Sequence, residues 1–543
     1  MKTLKLKEWA KRAAIGRWSA SLLIAAGIQT LVLPSLQAAT TEKEITDRGI
    51  TTAVEGGLKL DKGVFPNDVD VSTSQGIVTL SGSVNNLLAK ERAVMAAKSI
   101  RGVREVIDKI TVTPVSRSDE DIRKDIQTAL QQDPATESYQ TTVSVQGAVA
   151  TLTGSVGTYA EKQLATRIAN GVKGVKEVRN DVTINYMAKR TDSEIAADVK
   201  ARLQWDIWIN GGLISPVVKG GKVTLTGTIG SVISKSRAFD DAWVNGVTSV
   251  DDSGLKIESL AHNDAQQKSK TAISSDSEIK QAVQAALRFD ARVSAFSPDV
   301  TVEDGVVILG GSVGNLKAKT AAAQDAKNVV GVSLVENHLK VRPTGGSADA
   351  AAMEKQLKAA LLWDPFLDSS TIDVAVINRV AYLSGAVDSS FQKAEAQDVA
   401  SRIKGVVQVR NHLKVEPEYY SIYDSDYDYY NGYYYPDYDY GYYDDYGYYG
   451  SPDYNQSPYY ISEMSGPQPY LSDEQIKKNI ENRFFWSPFV DSDGIKVTVD
   501  GAVATLTGTV GTWVGWGEAD KDARKGGATA VLNRVTVNKG HWW

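Results

Sequence analysis

The sequence predicts an α+β chain: six tandem small modules of order α-β-β-α-β, each a three-stranded mixed sheet packed with two helices, joined by linkers. Three observations predict it. A strand motif with a central glycine recurs six times; a polar helix-start residue and a pair of alanines follow it at fixed offsets; and alternating apolar runs flank it on both sides.

The first element of each copy is an amphipathic helix, with apolar residues at i, i+4 and i+7 or i+8, as in Ile122/Ile126/Ala129/Leu130, Ile279/Val283/Ala286/Leu287 and Ile476/Ile480/Phe484. Thr191/Glu194 and Ser472/Gln475 have capping-box spacing at two of these helix starts. Gly49, Gly56 and Gly57 weaken the helix of copy one. Next comes an alternating strand, such as Val69/Val71, Val143/Val145, Val300/Val302, Ile372/Val374/Val376 or Ile495/Val497/Val499, which turns at Gly or Asn into the motif strand, forming a hairpin. The motif reads LSGSV from Leu80, LTGSV from Leu152, LTGTI from Leu225, LGGSV from Leu309, LSGAV from Leu383 and LTGTV from Leu506. Its central glycines, Gly82, Gly154, Gly227, Gly311, Gly385 and Gly508, are assigned a structural role. Successive glycines lie 72, 73, 84, 74 and 123 residues apart, and the two long gaps mark insertions.

Four residues after each central glycine stands Asn86, Thr158, Ser231, Asn315, Ser389 or Thr512, an N-cap whose oxygen accepts from an orphaned N–H of the second helix. Eleven and fifteen residues after the glycine every copy has Ala: 93/97, 165/169, 238/242, 322/326, 396/400 and 519/523. A spacing of four places both on one face, where small side chains let the helix approach the sheet. A second glycine (Gly102, Gly174, Gly246, Gly331, Gly405, Gly527) is expected at the helix C-cap, followed by an alternating third strand such as Val175, Val178, Val182, Ile184.

The order α-β-β-α-β, the G-V-V-x-L-x-G-x-V strand at 305–313, the paired alanines and the G-V-x-x-V-x-N ending at 174–180 closely resemble the BON domain, a family named for bacterial osmotically inducible and nodulation proteins. Copy six departs from the pattern with Ala528 after its second glycine. The resemblance covers about three quarters of the chain and implies a non-catalytic periplasmic or envelope protein that associates with phospholipid membranes, often in osmotic or envelope stress. The copies are placed at 44–115, 117–188, 190–260, 275–343, 346–417 and 472–540, with a linker at 261–274 and an insert at 418–471.

Composition narrows the function. Residues 1–39 read as a secretory signal peptide: Lys2, Lys5, Lys7, Lys11, Arg12 and Arg17, then an apolar run over 22–33, then Ala38 and Ala39, with cleavage expected after Ala38. That run is shorter than the roughly 20 residues that span a bilayer, and no later run approaches that length, so the processed chain is expected to lack a transmembrane span. The chain has no cysteine, which excludes disulfides, thiolate metal sites and a lipidated cysteine anchor. Losing six basic residues and Glu8 with the leader moves the net charge from -6 to -11, which argues against nucleic acid. The segment 418–470 holds 20 of the 24 tyrosines, ten acids and no Lys or Arg, without a period of 2 or 3.6; it reads as a disordered linker, a solvated spacer or a sticky, self-associating tract.

No nucleophile elbow, P-loop or metal spacing stands out, and the four histidines include only one repeated position, His338/His412, expected to face solvent; no enzyme and no cofactor are expected. Lys90, Lys162, Lys235, Lys319 and Lys393 recur eight residues after the central glycine, where copy six has Trp516. They either lay their stems over apolar surface or meet headgroup phosphates. Aromatics after the first helix, Trp205, Trp208, Phe289, Trp363, Phe366, Phe485, Trp486 and Phe489, either plug the end of each core or anchor at a membrane interface. Trp513, Trp516, Trp542 and Trp543 are expected to be exposed. The expected function is docking on a phospholipid membrane surface or envelope components, or a scaffold for envelope proteins or polysaccharide.

Overall fold

The computed structural model describes residues 45–61, 63–64, 68–137, 139–186, 188–209, 211–258, 275–294, 296–342, 349–415, 471–511 and 513–537. The signal peptide expected at 1–39, the linker expected at 261–274, the tyrosine-rich segment 418–470, Thr512, Trp542 and Trp543 lie outside them.

Each copy opens with a helix of 14 residues: Asp47–Leu60, Asp119–Gln132, Asp192–Trp205, Asp276–Phe289, Ala350–Trp363 and Asp473–Trp486. The capping boxes at Thr191 and Ser472 form, and a third forms at Ser275 with Glu278. The hairpin follows, then the second helix and the third strand. The motif strand lies in the middle of the sheet, antiparallel to its hairpin partner and parallel to the third strand; in copy one Leu80 faces Val71 on one side and Asp108 on the other. A parallel pair needs a crossover, and the second helix supplies it. In copies two, four and five the third strand breaks into two short pieces, as at Glu177–Asn180 and Thr183–Ile184.

The core of each copy lies between the sheet and its two helices. Copy two buries Ile122, Ile126 and Leu130 of the first helix against Leu152 and Ala150 of the motif strand and Ala165 and Ala169 of the second helix. All twelve paired alanines are fully buried. A larger side chain there would push the helix off the sheet. The N-caps at Asn86, Thr158, Ser231, Asn315 and Ser389 each accept from the backbone N–H three residues on.

The central glycines have φ between +98° and +128°, outside the range of residues with a Cβ. In five copies a Cβ would also lie 1.9–2.1 Å from a backbone oxygen of the hairpin partner, such as Gln140 O beside Gly154; Gly311 alone has room, its nearest neighbour 3.7 Å away. In copies one to five the second glycine stands beyond the helix C-cap, whereas in copy six Gly527, at φ +110°, does close the helix, its N–H donating to Arg524 O at 3.0 Å and that of Ala528 to Ala523 O at 3.3 Å. In copy one the helix ends at Lys98 with Ser99 as its cap, and Gly102 sits in the following turn at φ +89°. A Cβ on Gly102 would strike Ile45, two residues ahead of the first helix, and one on Gly174 or Gly246 would crowd Ile122 or Ile195 of that helix, so glycine lets the start of the module close over the turn.

Two carboxylate devices also recur. The first residue of the first helix, Asp47, Asp119, Asp192, Asp276 or Asp473, accepts from two consecutive N–H groups of the hairpin turn at 2.7–2.9 Å. These bonds hold the Asp119 and Asp192 carboxyls below the usual carboxylate range. At the other end of the helix Asp61, Asp133, Asp206, Asp290 or Asp364 accepts from the N–H two residues on at 2.7–2.9 Å. In copy six Ser487 takes this role at 3.4 Å.

Between copies, contact runs through helices. The first helices of copies three and four pack together, as do those of copies five and two; the second helices pair between copies one and three and between four and five. The sheet faces turned away from the helices keep alternate residues exposed, as in Val69–Ser74 and Ile495–Asp500.

Candidate functional site

The residues that the sequence marks for contact fall into three groups in the structure. The lysine position uses its main chain. Asn180, Asn337 and Asn411 of the third strand donate to the carbonyls of Lys162, Lys319 and Lys393 at 2.7–2.8 Å, and Asn533 donates to Trp516 O at 3.1 Å. The same asparagine oxygens accept from the N–H two residues later, which fixes where the third strand bends. Copies one and three carry Asp108 and Asp252 instead, and there the lysine side chain answers: Lys90 Nζ lies 3.1 Å from Asp108 and Lys235 Nζ 4.0 Å from Asp252. A position read mainly through its carbonyl tolerates tryptophan, which accounts for Trp516 in copy six.

The first-helix aromatics are turned toward other copies. Trp208 is buried, its Nε1 donating 3.0 Å to Asn328 Oδ1 of copy four, with Phe489 of copy six edge-on at 4.7 Å. It is therefore not presented to a membrane, because the folded chain already covers its indole. Trp205 packs half-buried on the core of copy four, Trp363 on that of copy two and Trp486 on that of copy one. Phe366 meets Phe391 edge-on at 4.9 Å and also reaches the core of copy one. Phe289 of copy four returns the contact to copy three, under the Arg202 guanidinium at 4.1 Å. Trp516 is half-buried on the core of its own copy rather than exposed. Trp513 begins the second helix of copy six. His338 and His412 face solvent.

Charged groups are buried where copies meet. Arg237 binds Asp206 beside Trp208, and Arg92 binds Asp61 at 2.7 Å with Phe391 of copy five against its guanidinium. Lys317 of copy four reaches Asp398 of copy five at 2.9 Å. Burial pushes the Asp206 carboxyl up to about 8 despite Arg237. Burial, with Lys521 and Arg483 nearby, brings the Lys525 ammonium down to about 7. A cavity of about 730 Å³ opens among copies one to four, with Phe489 of copy six also on its wall. Trp243 stacks on Tyr159 there at 4.1 Å, and Trp243 Nε1, Asp241 Oδ2 and Asp325 Oδ2 are buried without a protein hydrogen-bond partner.

Large apolar side chains left in solvent include Ile107, Val217, Leu334, Ile377 and Leu532. All five stand on strands, on the faces away from the helices. Around them the central strands present hydroxyls, as at Thr151, Thr153, Thr224 and Thr226. Among the described residues no group of three or more His, Asp or Glu side chains is gathered as metal ligands, and no helix is long and apolar enough to cross a membrane. The arrangement offers contact faces and a cleft whose lining is mixed but mainly apolar.

Sequence reasoning passed over the two aspartates and the role of Gly49. The aspartates were findable: aligned on the central glycine, Asp stands 35 residues before it in five copies and 21 residues before it in five. Gly49 was not, since its neighbour Trp486 is over 400 residues away; a Cβ on Gly49 would sit 2.8 Å from that indole.

Comparison with known proteins matches this repeat. The Escherichia coli (strain K12) osmotically-inducible protein Y is 33% identical over 143 residues, 25% of this chain and 71% of that protein. The outer membrane lipoprotein DolP of Haemophilus influenzae is 28% identical over 202 residues, 36% of this chain and 91% of that protein. A solved structure of CdsD, a structural protein of the type III secretion system of Chlamydia trachomatis, covers 37% of this chain and 88% of its own at 17% identity, with a TM-score of 0.11, too low to build on. The BON domain profile matches residues 46–114, 118–186, 191–259, 275–343, 349–417 and 472–539, one match for each α-β-β-α-β copy, so the chain belongs to the BON domain family.

Proposed function

We propose that this chain is an exported, non-catalytic protein of the bacterial cell envelope, acting in osmotic or envelope stress by docking on phospholipid surfaces through its sheet faces. One observation carries the reading: the helices are turned toward one another, while among the described residues the outer sheet faces keep alternate side chains exposed. Many weak, linked contacts raise the effective concentration of each at a surface. The names of the two relatives, one osmotically inducible and one an outer membrane lipoprotein, support the setting. The leader-like residues 1–39 support export.

The contact residues differ from those marked by the sequence. Trp205, Trp208, Trp363 and Trp486 hold copies together, so the proposed interfacial side chains are Val217, Ile377, Leu334 and Leu532, and Trp513 is kept as a further copy-six candidate. The test is flotation of the processed chain with liposomes of zwitterionic and anionic lipid. Val217→Asp combined with Leu532→Asp is expected to reduce flotation; absence of flotation at any lipid composition and salt rejects the reading.

A second reading has its own support. Hydroxyls at Thr151, Thr153, Thr224 and Thr226 make the outer faces better hydrogen-bonding surfaces than greasy ones, which suits a scaffold for envelope proteins or polysaccharide. A partner retained in detergent, with no dependence on lipid, favours it.

A further inference from the structure

The residue that ends the first helix, 22 before the central glycine, is Trp205 in copy three, Trp363 in copy five and Trp486 in copy six; elsewhere it is Leu60, Gln132 or Phe289. Each tryptophan does the same thing. Its carbonyl accepts from a backbone N–H of another copy: Val330 to Trp205 at 2.9 Å, Lys173 to Trp363 at 2.6 Å and Arg101 to Trp486 at 2.8 Å. Its ring lies on the core of that same copy. The three donors are equivalent too, each standing immediately before a second glycine, Gly331, Gly174 or Gly102. Copies with a tryptophan therefore serve as plugs, and copies without one serve as sockets.

The geometry points to a recognition surface: we propose that a tryptophan-ended first helix is a docking plug whose partner is a BON module without that tryptophan, whether in the same polypeptide or a separate one. The helix end leaves carbonyls without intrahelical partners, and the socket supplies an N–H to one of them. The socket loop turns at its glycine, which takes a positive φ immediately after the donating residue. An indole then adds apolar contact beside the hydrogen bond. In copy one the fit goes further, because Gly49 lacks the side chain that would collide with the Trp486 ring. That gives the glycine in the first helix of copy one a reason to be there. A module of about 70 residues buries little apolar surface by itself, so end-to-end docking also supplies core to both partners.

The experiment makes copy six a separate polypeptide without removing it from its neighbours. A protease site placed within residues 418–470 of the full chain is cut, and the fragment from 471 onward is followed by size exclusion. Expected is retention of the fragment on the rest of the chain. Trp486→Ala and, independently, Gly49→Leu should each weaken retention about thirtyfold or more. Gly49→Leu leaves copy six untouched and favours the copy-one helix by propensity, so release cannot be ascribed to unfolding of the plug. Trp363→Ala, whose socket is in copy two, should leave the fragment bound. Release of the uncut-sequence fragment on cleavage alone, or retention unchanged in both Trp486→Ala and Gly49→Leu, overturns the proposal.

Discussion

Inside a copy and between copies, the chain uses different chemistry. Inside, the same aliphatic and alanine positions repeat six times, and polar groups are spent on local bonds between the first helix and the hairpin turn or the second helix and the third strand. Between copies, the contacts are aromatic rings, buried ion pairs and helix-end carbonyls; the tryptophan-ended helix recurs in three copies, and the other contacts differ from copy to copy. Repetition makes the module, and departures from repetition make the assembly. Buried charges at the seams contribute less to net stability than an apolar core of the same volume, but breaking one partner leaves an uncompensated charge, so they select one arrangement.

The comparison breaks hardest at a central glycine. Gly154→Val, with a Cβ driven into Gln140 O at an unfavourable φ, is expected to cost about 4–5 kcal/mol and to abolish hydrogen-exchange protection in copy two first. Gly311→Ala, where there is room, should cost about 1–2 kcal/mol; equal losses at the two sites would show that close approach is not the cause. At the seam, Trp208→Ala is expected to cost about 3 kcal/mol and to enlarge the particle in small-angle scattering while each copy keeps its own protected core. Loss of protection inside the copies would erase the distinction.

Smaller effects sharpen it. Asn180→Ala removes the bond to Lys162 O and should cost about 1 kcal/mol, read as faster exchange at the bend of the third strand, whereas Lys162→Met should leave exchange there unchanged. The last prediction is of pH. Lys525 has a folded value of about 7 against an ordinary 10.5, so between those values the unfolded chain binds a proton that the folded chain does not. Stability of copy six should therefore rise from pH 7 toward pH 10, and Lys525→Met should remove that slope. Thermal melts of both proteins at pH 7, 8 and 9 check this, and parallel curves would exclude it. Asp119 and Asp192 act oppositely placed on the scale: their lowered values mean that the hairpin ties they make are lost as pH falls through the folded value.

Much of the module was legible because its causes are local. Leu152, Gly154, Thr158, Ala165 and Ala169 lie within 18 residues, and strand alternation, a cap and a helical face read directly from their spacing. The second glycine, a helix cap in copy six alone, was misplaced in the other five for the same reason in reverse. In copies one, two and three its role depends on Ile45, Ile122 or Ile195 closing over it from the start of the module, a contact that no local spacing announces. The aromatics could be read equally as core plugs or membrane anchors, and the structure makes them plugs in the cores of other copies.

By itself, then, the sequence determined that the chain is six α+β modules, where their strands and helices begin, and which glycines and alanines hold them together. Those follow from turn chemistry, capping and periodicity acting over a few residues. Only the tertiary structure decided which copy meets which, that Trp486 lies over Gly49 and Trp208 against Asn328, and that alternate strand residues are left outward while Trp205, Trp208, Trp363 and Trp486 are turned to other copies. Trp486 and Gly49, and Trp208 and Asn328, are each more than a hundred residues apart and meet once, so no period in the chain records them.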